Sequence, residues 1–367
     1  MTQYIETAIN LYQYIVAKHW NGQALIGPDP GIRFNYRIGR FIKSYLRHVH
    51  WKDSYYYLQA QGYWVLSNWA LFVRTNKTAY RDVALCCSDY MLSQQRDDGA
   101  WDYPNPEWKG RVATNEGTWG ALGLLEAYRH STDQTFLKSA LDWHKYLIGV
   151  TGFQAVGDEL AINYFAGSGN SRVPNNSITV LRFVAELASL TQDKSFMKPS
   201  VGLLNFIRRV QKPTGEFPYA VKSTSQEQTK SHFQCYQYNA FECLNLIRYY
   251  EITGDEIVLA IITKLLDFLS QGLAEAGYAF YDCHNRYRTV TYHTAALGAA
   301  FSKATQLGLT GYDDLTTQAR ACVLRLQRPD GGFIHSQRDY HLLTDQRSYP
   351  RYLTMILYHL LHLEGVV

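Results

Sequence analysis

The densest run of residues able to move protons is YDCHNRYRTVTYH, Tyr281–His293. Histidine titrates near neutrality and tyrosine can donate or relay a proton, so Tyr292 and His293 are expected as acid or base. Asp282 joins them as a carboxylate, with His284 and Asn285 as polar contacts to a substrate. Arg286 and Arg288 would hold an anionic group. The alternative is structural: Tyr292 and His293 as satisfied polar residues at the start of a helix.

A second chemistry needs two carboxylates flanking one bond, as in glycosidic hydrolysis. Asp102, Glu116, Asp158, Glu159 and Asp282 are candidates, each with a helix-capping or ion-pairing role as the alternative. Their separation in space cannot be read from their spacing in the chain. Cys235, Cys283, His284 and His293 are competent zinc ligands but lack any ligand spacing, so no metal and no cofactor is assigned. Gly-x-Ser-x-Gly, a dinucleotide-binding glycine fingerprint and a phosphate-binding loop are absent.

These residues must be positioned by helices. Long, small-residue, mostly apolar segments start near Tyr55, Asn115, Asn176, Phe233, Val290 and Tyr349, about 57 to 62 residues apart. Amphipathic segments lie between them, at about 78–94, 134–148, 194–210, 256–270 and 312–327. Each follows a short turn carrying Thr or Asp near the N-cap, as in Thr132-Asp133 and Thr253-Gly254-Asp255. Short turns therefore join inner to outer helix on one side. Long polar loops join outer to inner on the other, at 95–113, 149–174, 211–231, 271–288 and 328–347, and loops of that length are usually functional. The pattern predicts an all-α chain, an (α/α)6 toroid of six helical hairpins. It forms one domain over 1–367, with N-terminal helices in 1–50 completing the ring and repeats over 51–367.

In that geometry the useful residues occupy the long loops and the first turns of the inner helices. Asp102, Tyr103, Asn115 and Trp119 are expected to bind substrate, with Asn163 and Tyr164 from the next loop. The fourth inner helix offers His232, Gln234, Tyr236 and Asn239, and the last offers Tyr349 and Arg351.

Composition bounds the partners. The chain has 367 residues, is 46% hydrophobic and holds 29 Tyr, 16 Phe and 8 Trp. Aromatics with a polar edge suit a shaped, wettable cavity as well as a large helical core. A net charge of +4 is too small to imply nucleic acid. An adjacent pair, Cys86-Cys87, and four scattered single cysteines, with no CxxC, suggest reduced thiols and a cytoplasmic protein. The N-terminal segment reads as an amphipathic helix and not as a signal peptide, and no apolar run is long enough to span a bilayer. Arg33, Arg37, Arg40, Lys43 and Arg47 form one basic stripe over 33–47, either a solvated face or a rim that attracts anions.

QRDDGAW (Gln95–Trp101), QKPTGEF (Gln211–Phe217) and QRPDGGF (Gln327–Phe333) repeat a Gln-x-x-x-Gly-x-aromatic turn. These turns resemble the QW repeat of squalene-type terpenoid cyclases, and QRPDGGF resembles a turn of protein prenyltransferase β subunits. The resemblance covers about 55–364 and implies the α/α-toroid superfamily. Its chemistry does not carry over: the Asp-x-Asp-Asp and Asp-Asp-x-x-Asp motifs are missing, and Asp282 and Cys283 are adjacent where the prenyltransferase zinc site has Asp-x-Cys. The same toroid occurs in glycoside hydrolases, polysaccharide lyases and sugar epimerases. An Asn helping to neutralise a carboxylate, with Tyr or His as base, is similar to the way toroidal lyases and epimerases acidify a sugar C–H.

The expected function is an enzyme acting on a carbohydrate, an anionic oligo- or polysaccharide, by lyase, epimerase or hydrolase chemistry. The alternatives are an isoprenoid enzyme of the terpenoid-cyclase or prenyltransferase type, and a non-catalytic toroid that binds glycan or protein. A cavity floored by Phe, Trp and Leu favours isoprenoids; converging Arg, His and carboxylates favour sugars.

Overall fold

The computed structural model describes residues 3–29, 54–167, 169, 171–225, 227–228, 235–339 and 343–363. The basic stripe at 33–47, His232 and Gln234 lie outside the described residues.

Among the described residues twelve α-helices alternate between an outer and an inner layer. The outer ones are α1 (Gln3–His19), α3 (Thr78–Ser93), α5 (Gln134–Tyr146), α7 (Ser200–Val210), α9 (Glu256–Ser270) and α11 (Asp313–Arg325). The inner ones are α2 (Leu58–Thr75), α4 (Thr114–Ser131), α6 (Pro174–Thr191), α8 (Cys235–Thr253), α10 (Thr291–Gln306) and α12 (Pro350–Leu363). Each inner helix packs on the next, and α12 packs back on α2, so the ring is closed. The chain is an (α/α)6 toroid, as its periodicity predicts.

Small residues in the inner layer let backbones approach. A Cβ on Gly62 of α2 would lie 2.1 Å from the Trp119 carbonyl oxygen of α4, and one on Gly120 would lie 2.5 Å from the Leu58 side chain. Large side chains fill the space between the layers: Trp64, Trp69, Trp143, Phe183 and Phe206 are fully buried in a hydrophobic cluster that runs from Ile5 to Leu363.

The repeated turns are rivets between hairpins. Gln95 Nε2 donates to the Gly99 carbonyl at 2.8 Å and to the Ser139 carbonyl on α5 at 3.0 Å. Gln211 does the same to Gly215 at 2.8 Å and to Ile261 on α9 at 3.0 Å. Gln327 reaches Gly331 at 3.0 Å and Thr7 on α1 at 2.9 Å, so the last rivet ties the end of the chain to its first helix. Gly99, Gly215 and Gly331 have φ of +87°, +103° and +87°, a region that only glycine enters freely.

Three local expectations change. The outer helix expected over 194–210 is split into a 3-10 turn, Lys194–Met197, and α7, because Pro199 cannot donate to a continuous helical ladder. Asp133, Asp193 and Asp255 cap as expected, but α3 and α11 follow Lys77 and Tyr312 with no side-chain cap. Among the described residues the long loops hold two short antiparallel hairpins, β1 (Phe153–Val156) with β2 (Glu159–Ile162) and β5 (Ser336–Asp339) with β6 (Leu343–Asp345), and one antiparallel pairing between two successive long loops, β3 (Ser171–Arg172) with β4 (Val221–Lys222).

Candidate active site

The six inner helices all point their N-termini to the end of the ring that carries the long loops. Free backbone amides there give a modest positive potential. Between those helix starts lies a cavity of about 150 Å3. Its polar lining is Gln59, Tyr103, Asn115, Glu116, Tyr164, Asn175, Asn176, Tyr219, Gln237, Tyr238, Tyr292, Arg351 and Tyr352, with Phe241 and Met355 at its base.

Glu116 is the carboxylate of this cavity among the described residues. It projects from the first turn of α4 and accepts the backbone N–H of Gln59 at 3.0 Å. Burial pushes its carboxyl up to about 7, against the pull of the Arg351 cation and the Gln59 amide. A carboxyl balanced near neutrality can give or take a proton.

Arg351, in the first turn of α12, is the cation of the same cavity among the described residues. Its Nε stands 2.9 Å from Asp29 Oδ2, and Nη2 donates to the Tyr352 hydroxyl at 3.0 Å. The guanidinium lies 4.4 Å over the Tyr57 ring. Asp29, fully buried, thus fixes the arginine from behind while the aromatic rings flatten it against the wall.

The rest of the wall is hydrogen-bonding capacity. Tyr164 and Tyr219 are hydrogen-bonded to each other, Tyr238 packs on Tyr219 at 5.3 Å, and Tyr292 stacks on Tyr352 at 4.2 Å. Burial drives the Tyr103, Tyr164, Tyr238 and Tyr292 hydroxyls upward, so they stay protonated donors. Asn115 Oδ1, Asn176 Nδ2 and Gln237 Oε1 are buried with no hydrogen-bond partner among the described residues. Such orphans are costly unless a polar ligand or water meets them.

Of the expected residues, Tyr103, Asn115, Glu116, Tyr164, Tyr292 and Arg351 therefore converge. The others do not reach the cavity, for identifiable reasons. His293 is turned away from it and sits between Tyr292 and Tyr281, its two ring nitrogens unpartnered and its basicity driven well down by burial. Asp282 closes its own loop, accepting the amides of His284 at 2.8 Å and Asn285 at 2.6 Å. Asn285 in turn accepts those of Tyr287 and Arg288, both at 3.1 Å. Arg286 and Arg288 lie over Phe280 and Tyr281. Asp102 is exposed and paired with Arg96. Asp158 pairs with Arg209, and buried Glu159 with Arg172. Asn163 ties Gln154 to Thr151, and Asn239 ties the Phe217 backbone to the Cys235 carbonyl. Tyr236 faces outward onto Phe268, and Tyr349 packs edge-on against His335. Trp119 stacks on Tyr63 at 4.1 Å, one layer deeper than the cavity. Among the described residues no three His, Cys, Asp or Glu side chains are grouped to hold a metal.

Gln59, Asn175, Tyr219, Tyr238 and Tyr352 line the cavity unforeseen. Four of them sit at or near the start of an inner helix, the location already expected to matter. Tyr219 lies in the long loop before α8, also a location expected to matter, but no local pattern singles it out there.

No family model matches the chain, and no curated protein matches it in sequence. Solved structures do match in fold. Cellobiose 2-epimerase from Bacillus thermoamylovorans has a TM-score of 0.77 at 13% identity, over 98% of this chain and 99% of that one. A protein described as a possible member of the GH105 family, from Klebsiella pneumoniae, has 0.71 at 11% identity, over 100% and 94%. The GH76 α-mannanase of Bacteroides thetaiotaomicron has 0.67 at 11%, over 100% and 96%. At such identities the likeness is one of fold. No helix among the described residues is long and apolar enough to cross a membrane.

Proposed function

We propose that this chain is an enzyme acting on a carbohydrate, with an anionic sugar unit bound between Arg351 and Glu116. The observation that carries the reading is the buried Glu116 carboxyl, raised to about 7, facing a wall of tyrosine hydroxyls and orphaned amide groups. A sugar offers many hydroxyls to such a wall, and a uronate adds a carboxylate for Arg351. Glu116 serves as the proton-transfer group, and Tyr292 or Tyr103 donates to the oxygen on which charge develops.

With one carboxyl in the cavity among the described residues, proton transfer at a sugar carbon, by an epimerase or a lyase, fits better than hydrolysis between two carboxylates. The named epimerase and glycoside-hydrolase neighbours support the substrate class by analogy of fold. The terpenoid-cyclase reading loses its support at the cavity, whose lining is polar, while the QW-like turns are engaged in holding hairpins together. A non-catalytic glycan-binding toroid would use the same wall without needing Glu116. All six cysteines are unbridged, which supports a reducing, cytoplasmic setting.

The test is turnover. Wild-type protein and Glu116→Gln are incubated with uronate-containing and neutral oligosaccharides, and products are followed by proton NMR. Wild type should convert a uronate-containing member and the variant should not. Binding without conversion by wild type would favour the glycan-binding toroid.

A further inference from the structure

At the opposite end of the ring axis the same six inner helices enclose a second cavity, of about 280 Å3, larger than the first. Tyr63, Trp119, Phe241, Tyr358 and His359 form the layer between the two, and Phe241 faces both. The wall is apolar: Leu66, Leu122, Leu125, Leu244 and Ile247.

The rim is a circuit of ion pairs. Glu186 accepts from Arg129 at 2.6 Å and Arg248 at 2.7 Å. Arg129 also holds Glu126 at 2.7 Å, Arg248 holds Glu251 at 3.2 Å, and Lys303 faces Glu251 at 3.4 Å. His130 occupies the other oxygen of Glu126 at 3.1 Å. Both oxygens of each carboxylate are therefore engaged. Among the described residues Arg182 contributes a fourth cation against three carboxylates, a surplus of one positive charge before any histidine is counted.

Part of that charge answers the six helix C-termini that converge here. The helix ends do not account for the space, nor for two orphaned groups. Buried Arg182 lies 5.3 Å over the Trp119 ring and spends Nη1 on Asn245 Oδ1 at 3.0 Å. Its Nε has no hydrogen-bond acceptor among the described residues, since Glu186 Oε1 is 4.0 Å away. His359, 1% exposed, has neither ring nitrogen partnered among the described residues. A cavity this size would hold roughly nine waters at ~30 Å3 each, and those against Leu66, Leu122, Leu125, Leu244 and Ile247 would find no partners on the wall. An apolar body fills it better, and the spare donor calls for an anion.

We propose that this cavity is a second ligand site, distinct from the carbohydrate cavity, for a small amphipathic monoanion. Its hydrocarbon or aromatic body lies against Leu122, Leu125, Leu244 and Ile247, and its carboxylate head meets Arg182 above Trp119.

The probe is sodium octanoate, titrated calorimetrically into the full-length protein, with octan-1-ol as the uncharged comparison. One octanoate should bind per chain, at least about tenfold tighter than octan-1-ol. Arg182→Met should bring the two affinities together. Leu125→Trp, which fills the cavity from the buried wall, should weaken both by at least about tenfold; half-buried Ala70→Phe, nearer the rim, should do the same if the first variant fails to fold. Glu116→Gln should leave octanoate affinity unchanged, placing it outside the first cavity. No saturable octanoate binding, equal affinity for octan-1-ol, or octanoate affinity unmoved by the filling variants would overturn the proposal.

Discussion

Glu116, in the first turn of α4, accepts the backbone N–H of Gln59, in the first turn of the neighbouring inner helix α2, at 3.0 Å. The residue before α2, Tyr57, makes no side-chain cap of its own. One carboxyl therefore caps a neighbouring helix and lines the cavity. That double duty sets a pH dependence. Burial raises the folded pKa to about 7 from an ordinary 4.5. Below 4.5 the carboxyl is protonated in both states and costs nothing. Between 4.5 and 7 the unfolded chain has lost a proton that the folded chain still holds, so stability falls as pH rises, then levels off above 7. The full difference is about 3 kcal/mol, at ~1.4 kcal/mol per pH unit. Denaturant midpoints across that window should show the decline in wild type and a flatter curve in Glu116→Gln, which keeps an acceptor for the Gln59 amide.

Arg351→Met removes the Arg351 cation from the buried Asp29 carboxylate. Removing one partner of a buried pair costs about 3–5 kcal/mol. Arg351→Met should therefore melt well below wild type, and Asp29→Asn with Arg351→Met should recover part of the loss. Recovery is expected in stability alone, because the cavity would still lack its cation for an anionic sugar.

Tyr292 and His293 are neighbours in sequence with different surroundings. Tyr292→Phe should lower turnover by about tenfold to a hundredfold, the usual weight of one polar group in proton transfer or charge stabilisation. His293→Phe keeps the ring contact with Tyr281 and removes two unpartnered nitrogens, so turnover and melting temperature should stay near wild type. Rates and melting curves of the two variants decide it.

The contrast between these two residues shows where the sequence was legible. Ring architecture could be read because it repeats: Gln95, Gly99 and Trp101 recur as Gln211, Gly215 and Phe217, and each copy performs the same clamp on the next outer helix. The candidate site does not repeat, since each helix supplies a different side chain. Expecting chemistry in the first turns of inner helices located Asn115, Glu116, Tyr292 and Arg351. Treating density along the chain as convergence in space over-read Asp282–Arg288, whose Asp and Asn side chains bond to their own loop's amides. Adjacent helical residues point about 100° apart, so Tyr292 can face the axis while His293 cannot. Tyr219 depended on how a long loop folds back, which no local pattern states.

Glycine substitutions separate the clamp from mere turn strain. A Cβ at Gly215 would sit 2.0 Å from the Lys264 carbonyl oxygen of α9, on top of a φ of +103°. At Gly157 φ is +62° and nothing lies within 4 Å. Gly157→Ala should cost about 1–2 kcal/mol, the left-handed penalty alone. Gly215→Ala should cost clearly more, because the hairpins must move apart, and chemical denaturation of both variants measures the gap.

The most direct measurement is the pH dependence of kcat/KM on the oligosaccharide that the wild-type enzyme converts, set beside Glu116→Gln. The wild-type profile should show an ionisation near pH 7, with turnover in the variant reduced by at least about a hundredfold and that ionisation gone. A variant whose rates and profile overlay those of wild type would contradict proton transfer by Glu116.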